Sequence, residues 1–334
     1  MSQKILVVGA GPGGMATAMR LAATGYEVAI YEAADRVGGR MRGLELGPYQ
    51  FDTGPTILQV PRVYEELFAA CGLTFSDYVK LIRLDPNTRI RFWDGTHLDL
   101  TSDLAAFKAQ LAGFGPELPA AFERWYLEHL RKDVVGYGPY LGSPVRSPLG
   151  YLRPGEIAAA LPFRPWETLY QHFERFFPDE RLVYAMGYQA KYLGMHPTAC
   201  SSVFSLVTFL EFHYGIWHPE GGFRALARGL ARAAEDLGVR IHLGRPVREV
   251  LVEGGRATGL LMADGERVMA DAVIVNADFA HAVQHLLPAH ARGPYTDRKL
   301  DKMEFSCSTF MLYLGVNRRW DDLPHHQLYL SQNI

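Results

Sequence analysis

The sequence predicts an α/β fold, Rossmann-like at its start and again after residue 221, with an inserted, mainly helical and aromatic-rich region between the two parts. Three observations predict it. The apolar run Ile5-Leu6-Val7-Val8 ends in the turn Gly9-Ala-Gly11-Pro-Gly13-Gly14. Residues 114–192 hold 16 of the chain's 40 aromatics, which marks that stretch as a separate region. From residue 221 the patterning returns to one amphipathic helix followed by short β-type runs.

The front end carries the most specific pattern. Ile5 to Val8 suits a buried parallel strand, and Met15 to Ala23 reads as a helix. Between them Gly9 allows the turn, Gly11 lets the backbone approach a pyrophosphate, Pro12 and Gly13 complete the loop, and Gly14 permits close helix-to-strand packing. The helix N-terminus adds free N–H groups and a partial positive charge, so the anion site is made of backbone. Gly25 stops the helix. Glu27 to Tyr31 then reads as a second strand ending in Glu32, placed where a carboxylate accepts hydrogen bonds from a ribose diol and disfavours a 2′-phosphate.

Strand, turn, helix, strand and acid in this order predict a dinucleotide site, and the sequel selects FAD over NAD. In "RVGGRMR" (36–42), Gly38-Gly39 gives a second backbone approach, and Arg40 is a charge-assisted partner for the flavin pyrophosphate. In "FDTGPTIL" (51–58), Thr53 joins the candidate cofactor residues, and Gly54-Pro55 makes a rigid turn that brings main chain close to a flat ring.

Within the middle region Phe122, Trp125, Tyr126, His129 and Leu130 recur at helical spacing, as do Trp166, Leu169, Tyr170, Phe173, Phe176 and Phe177. Aromatic faces packed into a core are one reading; an apolar tunnel or membrane-facing cap is the other. After it, Phe223 to Leu237 reads as an amphipathic helix. Val239 to Leu243, Pro246 to Val252, Ala257 to Ala263 and Ala272 to Val275 read as strands, with a Gly254-Gly255 turn.

Composition excludes several classes. A net charge of −2 gives no reason to expect nucleic acid. Cys71, Cys200 and Cys307 are too far apart for a C-x-x-C zinc or disulfide framework and read as reduced thiols, and no histidine shows metal-ligand spacing, so no metal is expected. No signal h-region and no run of roughly 18 apolar residues is present. The expected location is cytoplasmic, peripheral on the inner face of the membrane.

The first sixty residues resemble the FAD-binding start of the flavin amine oxidase superfamily, and "FDTGPTIL" narrows the resemblance to the carotenoid desaturases, the phytoene and diapophytoene desaturase group. The segments 215–250, 270–282 and 306–326 are similar to that family as well. The resemblance implies a p-hydroxybenzoate hydroxylase/amine oxidase type of FAD fold. Its expected parts are FAD-binding segments at 1–80 and 216–290, a substrate and membrane-associated domain at 81–215, and the start of a second substrate segment at 291–334. It implies that the backbone around Val247 meets the adenine. The segment "NADF", Asn276 to Phe279, ends a strand and resembles one near the cofactor, and Asp278 in it equally reads as a cap for the helix that follows.

The implied reaction is FAD-dependent desaturation of a hydrophobic polyene precursor, by hydride transfer to the flavin and proton loss to a base, with reoxidation by oxygen or a quinone. Glu211 and His213 interrupt the apolar stretch 203–217 and are candidate bases, with Arg153 and Glu156 as further candidates. Family members run beyond the point matching "LPHHQLYLSQNI", so a C-terminal portion with a second glycine-rich flavin segment is expected to be missing. Expected partners are therefore the membrane, a second copy, or the missing C-terminal half. A related flavin amine oxidase, a carotenoid isomerase or saturase, and an inactive FAD-binding fragment remain as alternatives.

Overall fold

The structure is a computed structural model that describes residues 2–136 and 161–332. It divides into two compact units, one built from residues 1–82 and 217–304 and the other from 83–216 and 305–334.

In the first unit β1 (Lys4–Val8) is central in a four-stranded parallel sheet, between β2 (Glu27–Tyr31) and the strand Ala272–Val275, with Arg240–His242 beyond β2. Strand side chains alternate between faces, so a strand buried on both sides reads as continuous apolar sequence. Val7 and Ile30 face one core with Met15, Ala18 and Met19 of α1 (Pro12–Ala23) and with Leu226, Leu230 and Ala233 of the helix Phe223–Asp236. Leu6, Val8, Ala29 and Tyr31 face a second core with Val250, Leu260 and Met262. These last come from a three-stranded antiparallel sheet of Val247–Glu253, Arg256–Met262 and Arg267–Met269. Gly254 and Gly255 join its first two strands with φ of 58° and 79°, the two positive values a tight hairpin turn needs.

α1 begins at Pro12, three residues before the sequence-based expectation. Proline at the first helical position loses no hydrogen bond and already has a helical φ. A hairpin of Gly43–Leu46 and Tyr49–Asp52 follows β2. At its end the Asp52 carboxylate accepts the Phe223 N–H at 3.0 Å, which caps the amphipathic helix from a residue far away in sequence. A Cβ at Gly222 would lie 2.8 Å from both Asp52 oxygens, so the cap needs that glycine.

The described part of the second unit contains a three-stranded sheet of His326–Tyr329, Thr88–Arg91 and His97–Leu100. It also holds the helices Leu104–Ala112, Leu118–Gly136, Glu180–Gly187 and Ser205–Tyr214. Here the aromatic faces are core: Phe107, Phe122, Trp125, Phe173, Phe209 and Phe212 are all buried. Phe122 lies 4.8 Å from Phe107 and 5.1 Å from Phe212, centroid to centroid, within the range of tilted and edge-on ring contacts. The second aromatic stripe is only partly helical. Its helix runs over Leu169–Glu174 because Thr168 and Gln171 form a capping box that starts it after Trp166, and Pro178 lies shortly beyond its end. Trp166 is left 67% exposed. Among the described residues no helix is long and apolar enough to cross a membrane.

Candidate functional site

In the first unit a cavity of about 1040 Å³ opens at the C-terminal ends of β1, β2 and the strand Ala272–Val275. Ligands in open parallel α/β sheets bind at this edge. Gly9, Gly11, Pro12 and Gly13 line it, with Glu32, Gly39, Arg40 and Thr53. Arg42, Asn276, Ala277, Asp278 and His281 complete the wall.

The glycines shape this wall in two different ways. Gly9 has φ of +100° and a Cβ there would stand 2.6 Å from the Asn276 carbonyl oxygen. A Cβ at Gly14 would lie 2.1 Å from the Gly9 carbonyl oxygen, so the turn folds back onto the first turn of α1 without room for a side chain. Gly14, Gly38 and Gly54 are not on the wall; they set the backbone behind it. Gly38, at φ +115°, donates its N–H to the Ala10 carbonyl at 2.8 Å. The sequence "GG" at 38–39 thus packs on the first loop, and a Cβ at Gly39 would lie 3.2 Å from the Gly11 Cα. A Cβ at Gly54 would lie 2.0 Å from the Arg40 carbonyl oxygen, so its close backbone approach is to the Arg40 segment. Thr53 donates its hydroxyl to the Arg42 carbonyl at 2.7 Å.

The electrostatics suit an anion flanked by a sugar. Gly11 caps α1, Pro12 has no N–H, Gly14 N–H is taken by Asn276 Oδ1 and Met15 N–H by the Gly11 carbonyl, which leaves the Gly13 N–H open at the cavity end of the helix. Arg40 and Arg42 add two guanidinium groups, and neither belongs to an ion pair among the described residues. The Glu32 carboxylate accepts the Ala10 N–H at 2.8 Å and the Ala34 N–H at 2.9 Å, which fixes it as an acceptor at the end of β2. Asp278 lines the cavity, and its carboxylate caps the following helix by accepting the His281 N–H at 3.2 Å.

The other candidates lie elsewhere. Val247 pairs with Met262 and packs in the second core of the unit; it is not on the wall of this cavity. Arg153 and Glu156 lie outside the described residues. Glu211 and His213 belong to the second unit, on the helix Ser205–Tyr214. Glu211 is buried and accepts from the Tyr188 hydroxyl and from Gln189 Nε2; burial pushes its carboxyl pKa up against the pull of these donors, Asn87 and Lys191. His213 Nδ1 lies 2.8 Å from the Tyr126 hydroxyl, and its ring stacks on Phe209. Among the described residues no group of three or more metal-ligating side chains occurs, and the three cysteines are free.

Sequence reasoning did not single out Arg42 or His281, and within "NADF" it took Asp278 alone as a site residue, not Asn276 or Ala277. Asn276 and Ala277 follow the strand Ala272–Val275 directly, and a strand hydrogen-bonded to β1 has to deliver its next residues to the same edge. Arg42 carried the weaker signal of a second arginine two residues after Arg40.

These residues fit a flavin dinucleotide: two glycine loops cleared of side chains, an open helix N-terminus, guanidinium groups beside it, and a carboxylate at the second strand's end. The sequence profile of the family described as flavin containing amine oxidoreductase matches residues 12–332. The chain is 48% identical to an all-trans-zeta-carotene desaturase of Myxococcus xanthus, over 98% of this chain and 63% of that protein. It is 39% identical to a zeta-carotene-forming phytoene desaturase of the same organism, over 99% of this chain and 63% of that one. It thus spans about 63% of the length of these relatives. Among solved structures, a putrescine oxidase redesigned in its cofactor binding shares the fold with a TM-score of 0.60 at 18% identity, covering 90% of this chain and 62% of that one. The chain belongs to the flavin containing amine oxidoreductase family, and its cofactor class is flavin.

Proposed function

We propose that this chain holds FAD for the desaturation of a carotenoid precursor, phytoene or diapophytoene, in carotenoid biosynthesis. The observation that carries the reading is the side-chain-free double glycine loop at the helix N-terminus, in a chain similar over 98% of its length to a zeta-carotene desaturase. In this reading the Gly13 N–H at the start of α1 and the Arg40 guanidinium hold the pyrophosphate, Glu32 receives the ribose hydroxyls, and Thr53 approaches the ring system. FAD supplies the hydride acceptor. Residues 1–80 and 216–290 form the FAD-binding part, with 81–215 and 291–334 serving the substrate.

Glu211 is the first candidate for the chain's own part in proton transfer. Glu211 is enclosed and its carboxyl is pushed upward, so it holds a proton more readily than an exposed glutamate and can exchange it with a neighbouring group. His213 and Arg153 are the other candidates. A polyene offers nothing polar to grip, so it is oriented by apolar walls and delivered from a bilayer. Exposed Leu161 and Trp166 suit peripheral contact with such a surface.

The test is spectroscopic. Purified chain incubated with FAD and passed through gel filtration is expected to keep a flavin band at about 450 nm. That band should bleach on anaerobic mixing with liposomes carrying phytoene or diapophytoene. Retained flavin that is bleached by an amine and not by either polyene would overturn the substrate class; a colourless protein would overturn the cofactor assignment for this chain.

A further inference from the structure

The four glycines of the first loop share one neighbour. A Cβ at Gly11 would come 3.4 Å from Asn276 Oδ1, one at Gly13 would come 2.8 Å from Asn276 Nδ2, and one at Gly14 would come 3.3 Å from Oδ1. The fourth, Gly9, is covered by the Asn276 carbonyl oxygen. The loop is therefore free of side chains on the side where a single asparagine reaches it from the neighbouring strand. Asn276 is fixed in that place by its own backbone, since its N–H donates to the Val8 carbonyl at 2.8 Å and extends the β1 ladder by one residue.

The side chain's orientation follows from its partner. Gly14 N–H is a donor 2.9 Å away, and only an acceptor can meet it, so Oδ1 faces the helix and Nδ2 faces the Gly13 side. Nδ2 has no protein acceptor among the described residues, on a residue that lines the cavity. Asn276 is exposed, so this donor faces the open cavity beside the start of a helix, where an anion can accept it.

We propose that Asn276 is a side-chain component of the pyrophosphate site: its amide oxygen holds the first turn of α1, and its amide nitrogen donates to a pyrophosphate oxygen of the bound dinucleotide. This rests on reading the cavity as the FAD site and adds to it a positioning residue from the second half of the unit. It gives the residue two separable duties. Asn276→Asp keeps an acceptor for Gly14 N–H and places a carboxylate at a helix N-terminus, which is favourable for folding. The same substitution replaces the donor to the anion with a negative charge. Asn276→Ala removes both.

The experiment measures thermal midpoints together with dissociation constants for FAD, by quenching of flavin fluorescence, and for ADP and adenosine, by calorimetry. Asn276→Asp is expected to keep or raise the midpoint, to weaken FAD and ADP by about tenfold or more, the scale of a lost hydrogen bond to a charged group, and to leave adenosine unchanged. Asn276→Ala is expected to lower the midpoint as well. Unaltered ADP affinity in Asn276→Asp overturns the donor role. Equal weakening of ADP and adenosine overturns it too, because the loop rather than the anion contact has then been lost. An unaltered chain that binds none of the three ligands overturns the FAD reading and this role with it.

Discussion

The Tyr188 hydroxyl lies 3.0 Å and 2.9 Å from the two carboxylate oxygens of Glu211, inside a unit where both side chains are buried. The same carboxylate accepts from Gln189 Nε2. Donors of this kind favour the charged form and burial disfavours it; burial dominates, so the carboxyl pKa is raised from its ordinary 4.5. The Tyr188 phenol is driven well above its usual range by the same burial and by the neighbouring charge.

The sign of the resulting pH dependence is fixed by linkage. A raised native pKa means that the folded chain keeps a proton which the unfolded chain releases. The stability associated with Glu211 is therefore complete below about pH 4.5 and is lost as the pH rises through the higher native value. Glu211→Gln cannot ionise. Urea midpoints measured from pH 4 to pH 8 are expected to fall for the unaltered chain relative to the variant, and two parallel profiles would sink the assignment.

Lys191 shares this neighbourhood, with its ammonium 4.5 Å from the Tyr188 ring centroid and 5.0 Å from that of Tyr192. Burial lowers its pKa to about 8, against the opposing pull of Glu211. The residue as a whole is nonetheless exposed, so a reagent can reach it. At pH 8 about half of this amine is neutral, whereas an ordinary lysine near 10.4 is almost wholly protonated. Limiting acetic anhydride at that pH, followed by peptide mapping, is expected to label Lys191 ahead of the other described lysines. Labelling no faster than that of Lys4 would refute the shift.

The front of the site was legible in the sequence because its requirements are local. Gly9, Gly11, Pro12 and Gly13 line the cavity, and Glu32 ends the second strand, since a turn, a helix start and a strand end are each specified within a few residues. Asn276 was not legible. It reaches the loop by strand pairing across more than 260 positions, and nothing in "NADF" states that its side-chain amide will sit against Gly11, Gly13 and Gly14. The aromatic stripe after Trp166 misled for a related reason. Apolar spacing continued past both ends of the helix, while the start was decided by the Thr168–Gln171 capping box, a side-chain to backbone exchange that periodicity does not register.

Space, rather than backbone dihedral, restricts Gly14, and this separates it from Gly25. At Gly25 the φ is +94° with nothing within 4 Å of a built Cβ, so Gly25→Ala meets strain alone, about 1 kcal/mol. At Gly14 the new methyl meets the Gly9 carbonyl oxygen and must push the loop away from the helix. Gly14→Ala is expected to cost about 1–3 kcal/mol or more and to abolish ADP binding. Gly25→Ala is expected to leave ADP binding intact; matching losses in the two variants would contradict the steric account.

The thiols are expected to differ by accessibility. Cys71 and Cys200 are buried, with thiol pKa values raised by that burial, and Cys307 is exposed. Titration of the native chain with a disulfide reagent is expected to report one fast thiol, with the other two appearing only on unfolding. Fast reaction of all three would show that the described packing around Cys71 and Cys200 does not hold in solution.

Glu32 carries two duties that substitution can separate. Its carboxylate oxygens each accept a main-chain N–H, from Ala10 in the first loop and from Ala34 just past the strand, so the acid braces the loop before any ligand arrives. Removing it in Glu32→Ala leaves two N–H groups without their acceptor, at about 1–3 kcal/mol for each one that stays dry. Water can reach a wall residue of the cavity, which moves the expected loss toward the low end. Glu32→Gln retains one carbonyl oxygen and turns an N–H₂ toward the other N–H, so it should be destabilised for want of the second acceptor. The ligand side behaves differently. A carboxylate disfavours a 2′-phosphate by charge, and an amide does not. Affinity for 2′-phospho-ADP relative to ADP is thus expected to rise in Glu32→Gln, measured by calorimetry at fixed ionic strength. An unchanged ratio would mean that Glu32 serves the loop alone and that the ribose is received by another group.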